Sequence, residues 1–309
     1  MSIFQYLVES SKNNLDKTAI DIRMSFNNFD KSIRTITYRE FLEETVTLAC
    51  GLKTYGIDEN QMLLEMLPNL IESREAIYGQ NANGTTVYPI SPMIPAFKLE
   101  KIVEKNSIKN VIMFGAFYDK FNDQLKNEKI EHIFYLDGLE SFNPLLKKAV
   151  KLKDKEVKFK IPNDPRIVTW ETLLNKGKEF RKKHNIRTYK DFNSYYEKNY
   201  IAAVVGTSGT TGVPKGACLS DTAINASDFS ERIPEPFKPG EVNLDVLIQS
   251  ISYGIGIMHH TMSGGLNNIV IPELVTDKLP MLLKKFKPEN FSGGPIHYEN
   301  IIKSKEFKN

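Results

Sequence analysis

The sequence predicts an α/β fold with two doubly wound, largely parallel sheets and flanking helices. From residue 62 onward, short apolar runs of strand length alternate with amphipathic runs of helical length, the pattern of the βα units that build parallel sheets. The alternation resumes after a long charged interruption at 137–198, so two sheet regions are expected. At 309 residues and 41% hydrophobic content the chain holds enough apolar material for one large or two medium domains.

Residues 36–56, ITYREFLEETVTLACGLKTYG, predict one helix. Thr37 stands three residues before Glu40, as in a capping box, and Ile36 can staple onto Phe41. Leu42, Val46, Ala49 and Leu52 follow at helical spacing, Phe41 and Leu48 widen the stripe, and Gly56 suits the left-handed position beyond the last turn. MLLEML (62–67) reads as a strand, Pro68-Asn69 as a break with Asn69 as cap, LIESREAIYGQNAN as a helix and TTVYPI (85–90) as the next strand. A helix near KLEKIVEKN (98–106) and the strands NVIMF (110–114) and EHIFYL (131–136) continue the alternation. Residues 137–198 are charged, proline-bearing and irregular, with a clear apolar pattern only in IVTWETLL (167–174), and read as an excursion between the sheet regions. YIAAVV (200–205) is then a short buried strand, and Ser220 or Asp221 can cap a helix through Ala223 and Phe229. DVLIQSI (245–251) predicts a strand leading into YGIGIMHHTMSGG, followed by a strand at NNIVIP (267–272), a helix near DKLPMLLKKF, and SGGPIHYENII.

Composition narrows the classes. The N-terminus MSIFQYLVESSKNN has no basic region ahead of an apolar core, and no later stretch approaches membrane-spanning length. No integral membrane segment is expected, and a cytoplasmic location follows by default. The two cysteines, Cys50 and Cys218, form no CxxC and do not cluster with the five histidines, so neither a disulfide framework nor a zinc site is suggested. The net charge of +3 conceals an asymmetry, since residues 145–200 hold 16 Lys or Arg against 7 Asp or Glu. Aromatic residues do not alternate with these cations and no nucleic-acid module is present, which favours a solvated helical face over a nucleic-acid partner.

The stretch VVGTSGTTGVPKGACLS (204–220) carries the chemistry. The P-loop pattern needs a Gly-Lys pair that is missing, because Lys215 follows Pro214, and no GxGxxG follows any predicted strand. The composition is still that of an anion cradle: glycines let successive backbone N–H groups converge on an oxyanion, and hydroxyls add donors without bulk. Lys215 adds a mobile point charge and Pro214 stiffens the loop exit. A flexible glycine-rich turn between strand and helix is the competing reading. His259 and His260, as neighbours on one helix, point to different faces and are expected to pack rather than to bind a metal.

TSGTTGVPKG, behind the apolar YIAAVV, resembles the signature loop of the adenylate-forming superfamily, which includes acyl-CoA synthetases, peptide-synthetase adenylation domains and luciferases. ITYREF (36–41) is similar to its first core motif and NANGTTVYPISPMIP (81–95) to its second. IVTWETLL, with Trp170, is a weaker echo of a stretch that precedes the loop, and GGPIHYENII resembles a segment ending in a pocket-lining region. The resemblance runs from about residue 36 to the end. It implies that a carboxylate reacts with ATP to give an acyl-adenylate and pyrophosphate, and that the acyl group then passes to a thiol. In this reading Thr207, Ser208, Gly209, Thr210, Thr211, Gly212 and Lys215 cradle the phosphates of ATP together with Mg2+.

SISYGIGIMHHTMSGG (250–265) aligns with the Pro-Leu-x-His-x-x-Gly of acyl-CoA synthetases, with Ser250 at the proline, Tyr253 at the histidine and Gly256 at the glycine. The resemblance thus assigns an acyl pocket to Tyr253, Gly254 and Gly256, which the tyrosine ring would narrow. The family's GYGxTE-like and TGD-like segments, its hinge and its C-terminal lysine have no counterpart here. The chain therefore reads as a partial N-terminal AMP-binding domain, incomplete at its C-terminus, lacking the lid domain and inactive alone, with catalytic residues expected beyond Asn309. Its expected subdomains are 66–214 for the first sheet and 1–65 plus 215–309 for the second. The parent activity implied is an AMP-forming acid:thiol ligase of acyl-CoA synthetase type, using a small-molecule carboxylate, ATP and coenzyme A. The alternatives are a peptide-synthetase-type adenylation domain serving a carrier protein, and a noncatalytic nucleotide-binding paralogue.

Overall fold

The structure is a computed structural model and describes residues 1–126, 129–142, 161–207, 215–232 and 237–307. The chain opens with α1 (Ile3–Ser11), β1 (Thr18–Ile22), β2 (Arg34–Thr37) and α2 (Tyr38–Lys53). The alternation then runs β3 (Met62–Met66), α3 (Ile71–Ala82), β4 (Thr86–Pro89), α4 (Ala96–Lys105), β5 (Asn110–Phe114), α5 (Tyr118–Leu125) and β6 (His132–Leu136). Next come β7 (Ile167–Thr169), α6 (Trp170–Lys183), β8 (Ile201–Gly206), β9 (Gly216–Ser220) and α7 (Asp221–Arg232). β10 (Val242–Asp245), α8 (Ser252–Ser263), β11 (Asn267–Val270), α9 (Leu279–Phe286), β12 (Asn290–Phe291) and α10 (Pro295–Lys303) complete the order. None of the described helices is long and apolar enough to cross a membrane.

The strands form two sheets, as expected, but the 137–198 excursion does not divide them: β6 before it, β7 within it and β8 after it all lie in one sheet. A seven-stranded sheet runs β7-β6-β5-β3-β4-β8-β9, and a five-stranded sheet runs β12-β10-β11-β1-β2. Pairing is parallel throughout except for β9 on β8 and β2 on β1. The seven-stranded sheet reaches past the expected 66–214 limits at both ends. β3 begins at Met62, and β9 follows the glycine-rich loop as an added edge strand. After the glycine-rich stretch the chain pairs antiparallel with the strand it has just left.

Local signals explain where the elements start. Thr37 accepts a bond from Glu40 N while Glu40 reaches back to Thr37 N, so the capping box of α2 is complete. Two readings are corrected. The segment 245–251 is not a strand: β10 ends at Asp245, and the carboxylate of Asp245 accepts the Leu247 N–H, which turns the chain out of the sheet. The 137–198 excursion is only partly irregular, because IVT forms edge strand β7 and the next 14 residues form α6. Periodicity undersold that helix because few of its positions are apolar. It is held by close approach to α2, where a Cβ at Gly177 would lie 1.9 Å from Thr47 O and one at Gly51 would lie 2.5 Å from Leu173 O.

All twelve residues of α3 are buried, although half of them are polar. Burial of such groups demands partners, and most come from the surrounding elements, although Arg74 Nε, Glu75 Oε1 and Gln80 Oε1 have none among the described residues. Arg74 donates to Asp245 Oδ2 (2.5 Å) and to Leu70 O (2.8 Å). Tyr78 OH meets His259 Nδ1 (3.0 Å), and Asn81 donates to Asp221 (2.8 Å). Glu72 pairs with Arg34 and accepts from Ser141 in the turn after β6. In that turn the Glu140 carboxyl accepts the N–H groups of Asp137 (2.8 Å) and Gly138 (2.9 Å).

Burial, followed by the nearby Asp137 carboxylate, pushes Glu140 up from 4.5 to about 7. A carboxyl whose folded pKa is raised contributes stability that is complete below its unfolded pKa and is lost as pH rises through the folded one. The midpoint of urea unfolding should therefore fall between about pH 5 and pH 8, and Glu140→Gln should flatten that fall. An unchanged slope in the variant would show that Glu140 ionises freely in the fold.

Candidate nucleotide site

The glycine-rich stretch joins two strands that pair antiparallel. β8 and β9 pair with Gly206 opposite Gly216, Val205 opposite Ala217 and Val204 opposite Cys218. One step beyond the last pair, Thr207 N donates to Lys215 O at 2.8 Å and closes the neck of the loop. Thr207 and Lys215 are both exposed. Ser208, Gly209, Thr210, Thr211 and Gly212 lie outside the described residues. The helix α7 starts at Asp221, where it was expected, and Ser220 Oγ accepts the Ala223 N–H (3.2 Å) at its first turn; strand β9 between the loop and the helix was not expected. Gly216 is required at the neck because a Cβ there would fall 2.5 Å from Val204 Cγ1.

The position of this hairpin follows from the sheet. β3, β4 and β8 are adjacent and parallel, so their carboxyl ends emerge together, and ligands of open α/β sheets bind outside such ends. Beyond β3, Asn69 donates to Asp245 O (3.3 Å) at the carboxyl end of β10, and Gln249 donates to Asn69 Oδ1 (3.0 Å). The Arg74–Asp245 pair lies in the same cluster, with both side chains almost wholly buried. The ends of strands from the two sheets are therefore tied together, and the turn into α8 leaves from that knot. Asn69 is not the cap of α3 as expected, since Leu70 holds that position and the Asn69 side chain is spent on this link; sequence reading missed Arg74, Asp245 and Gln249 altogether.

Tyr253 stands in the first turn of α8 and is 45% exposed. Its glycine neighbours differ in kind. Gly254 is buried, and a Cβ there would lie 2.0 Å from Ile248 O, whereas a Cβ at Gly256 would meet nothing within 4 Å. Gly254 is a close-packing glycine, and Gly256 leaves open space beside the helix. His259 and His260 are both buried. His259 lies between Tyr78 and Asn225 (3.0 Å each), and His260 Nδ1 contacts Asp228 (2.7 Å). Each is engaged in helix packing, as expected. A cavity of about 840 Å3 beside Arg34, Glu44, Glu72, Glu140 and Trp170 is lined by none of the sequence-predicted site residues.

The sequence pattern of the AMP-binding enzyme family matches residues 7–309, and the chain belongs to that family. A long-chain-fatty-acid–CoA ligase of Bacillus subtilis is 22% identical over 98% of this chain and 52% of its own length. A probable 4-coumarate–CoA ligase 3 of Dictyostelium discoideum is 23% identical over 82% of this chain and 44% of its own. Among solved structures, the coronafacic acid ligase of Pectobacterium brasiliense superposes with a TM-score of 0.72 at 16% identity, covering all of this chain and 53% of that one. A long-chain-fatty-acid-CoA ligase from Archaeoglobus fulgidus gives 0.70 at 17% identity, covering 93% of this chain and 50% of that one. The chain spans about half the length of the curated relatives it matches.

The two glycines of α8 can be told apart by substitution. Gly256→Ala should raise stability by about 0.5–1 kcal/mol, the ordinary gain of Ala over Gly within a helix. Gly254→Ala should cost at least about 1–3 kcal/mol from overpacking. Thermal unfolding of both variants checks the pair, and equal effects would contradict the packing described.

Proposed function

We propose that this chain is the nucleotide-binding part of an AMP-forming acid:thiol ligase of acyl-CoA synthetase type. The observation that carries the reading is the hairpin itself. In the run TSGTTGVPKG, Thr207 and Lys215 meet in a closed neck just beyond the carboxyl end of β8, which pairs parallel with β4, in a chain of the AMP-binding family. The reaction joins a carboxylate to the α-phosphorus of ATP, releases pyrophosphate, and passes the acyl group to the thiol of coenzyme A with release of AMP. Coenzyme A is preferred as acceptor because the relatives this chain matches are named CoA ligases. No observation favours a carrier protein or a noncatalytic role. The substrate is a small-molecule carboxylate whose identity the reading leaves open.

The loop suits the charge that this reaction moves. Attack at the α-phosphorus develops negative charge on the departing diphosphate, and donors fixed beforehand stabilise it without reorganising. Thr207 and Lys215 sit at the two sides of the neck. In this reading the intervening Ser208, Gly209, Thr210, Thr211 and Gly212 supply N–H and hydroxyl donors, and the exposed Lys215 ammonium adds a cation. Mg2+ belongs to the proposal as the companion of the nucleotide's phosphates. Among the described residues no group of three His, Cys, Asp or Glu side chains is placed to hold a metal ion. Tyr253, Gly254 and Gly256 are proposed to border the acid site, with Gly254 fixing the backbone, Gly256 leaving room and the Tyr253 ring limiting the width.

Acid-dependent exchange of labelled pyrophosphate into ATP, run on the full gene product over a panel of carboxylic acids, tests the reaction; exchange with no acid in the panel would overturn it. For the cradle, Lys215→Ala should weaken pyrophosphate binding to this chain about tenfold, the worth of one charge-assisted hydrogen bond. Because an exposed loop lysine adds little to the core, the thermal midpoint should stay within about a degree or two. Calorimetric titration reads the affinity, and equal affinities in the two proteins would remove Lys215 from the phosphate site.

A further inference from the structure

The basic stretch that this function does not use is folded into a defined surface at the end of α6. Close approach at Gly177 lays α6 on α2, and Arg181 is then held by Glu43 Oε2 (2.5 Å), Thr47 Oγ1 (2.8 Å) and Glu43 O (3.1 Å). The same guanidinium donates to Ile186 O (3.3 Å) and Arg187 O (3.2 Å). These two bonds fold the chain back along the helix, through Asn185 in the left-handed conformation at φ 58°. The fold-back brings Arg187 to the concavity of about 500 Å3 that Lys178 and Lys182 also line.

The only acid in that lining is Glu43, and it is already engaged by Arg181 and by Tyr189 N (3.0 Å). Among the described residues, Lys178, Lys182 and Arg187 form no ion pair, whereas Lys176 on the same helix pairs with Glu179 at 3.3 Å. Attraction to the helix C-terminus explains cations in the last turn. It does not explain Lys178 one turn earlier or Arg187 beyond the helix. The Asp191 carboxylate, which accepts the backbone N–H of Arg187 at 3.0 Å, offsets part of the Arg187 charge; a multiply charged oxyanion relieves the repulsion that remains among the three cations while offering acceptors to each. A nucleic-acid strand is a poorer occupant because the local rings offer no stacking platform: Tyr189 is buried and Phe180 is stacked on His184.

We propose that the concavity between α2 and the end of α6 binds a phosphate ester, free or as the headgroup of a phospholipid. The site is independent of the hairpin, since neither α2 nor α6 contributes to the loop.

The test is a titration of this chain with inorganic phosphate, followed by amide chemical shifts. Saturable shifts are expected across residues 178–188, and the Lys178→Glu/Lys182→Glu double variant should bind at least about tenfold more weakly there. Lys215→Ala should leave that response unchanged. Lys178→Gln/Lys182→Gln serves as a milder variant should the charge reversal unfold the helix, with Trp170 fluorescence reporting its integrity. Co-sedimentation with phosphatidylcholine vesicles containing phosphatidic acid separates the sources: binding lost in the charge-reversed variant identifies a lipid headgroup, and no sedimentation beside an intact phosphate response identifies a free ester. Absence of saturable shifts at 178–188, or equal affinity in wild type and variants, would overturn the proposal.

Discussion

The constraint on which the rest of the structure depends is the burial of α3. A helix with apolar residues on every side could slide between two sheets without much loss. This one cannot, because Glu72, Ser73, Arg74, Tyr78, Gln80 and Asn81 each have a partner whose loss would leave a polar group buried alone. The partners lie on β2, β3 and β10, on the turns after β6 and β10, on α7 and on α8, so satisfying them fixes both sheets against one helix. The Arg74–Asp245 pair holds the most demanding position. Its desolvation cost is large, and a pair of this kind is better understood as fixing geometry than as adding stability.

That geometry has a consequence for the ligand site. Asn69, Asp245 and Gln249 knot the carboxyl end of β3 to the carboxyl end of β10. The β8–β9 hairpin belongs to the first sheet, and the first turn of α8 leaves the segment after β10. The proposed phosphate cradle and the proposed acid site therefore spring from separate sheets that meet at one polar cluster. A reaction that brings a carboxylate to an α-phosphorus gains from such an arrangement, since positioning two reactants supplies much of the rate.

How much of this was legible in the sequence depends on the range of the interactions. The capping box of α2 needs only Thr37 and Glu40, and it formed as read. Strands with dense apolar runs, such as NVIMF, were found to the residue. α6 was undersold because its stability rests on glycine contacts with α2 rather than on an apolar stripe. β9 was missed because GACLS carries little β signature and is a strand only by pairing with β8. The knot was invisible for a plainer reason: Arg74 and Asp245 are 171 residues apart, and a buried arginine in LIESREAIYG looks no different from a solvated one. The reading of the loop as an anion cradle rests on its composition, and the ligand proposed for it rests on the resemblance to a family signature. The antiparallel pairing of the strands that flank it was not legible.

Native-state hydrogen exchange, measured against urea on wild type and Asp245→Ala, tests the central claim most directly. The account predicts that in wild type the amides of β3 and β5 and those of β10 and β11 open together in one cooperative unit. In the variant an unpaired buried guanidinium remains, and β10 and β11 should open separately, at a free energy lower by about 3–5 kcal/mol, while β3 and β5 keep more of their protection. If the two sets of strands still open together in Asp245→Ala, or already open apart in wild type, α3 and its polar partners do not hold the sheets as one body.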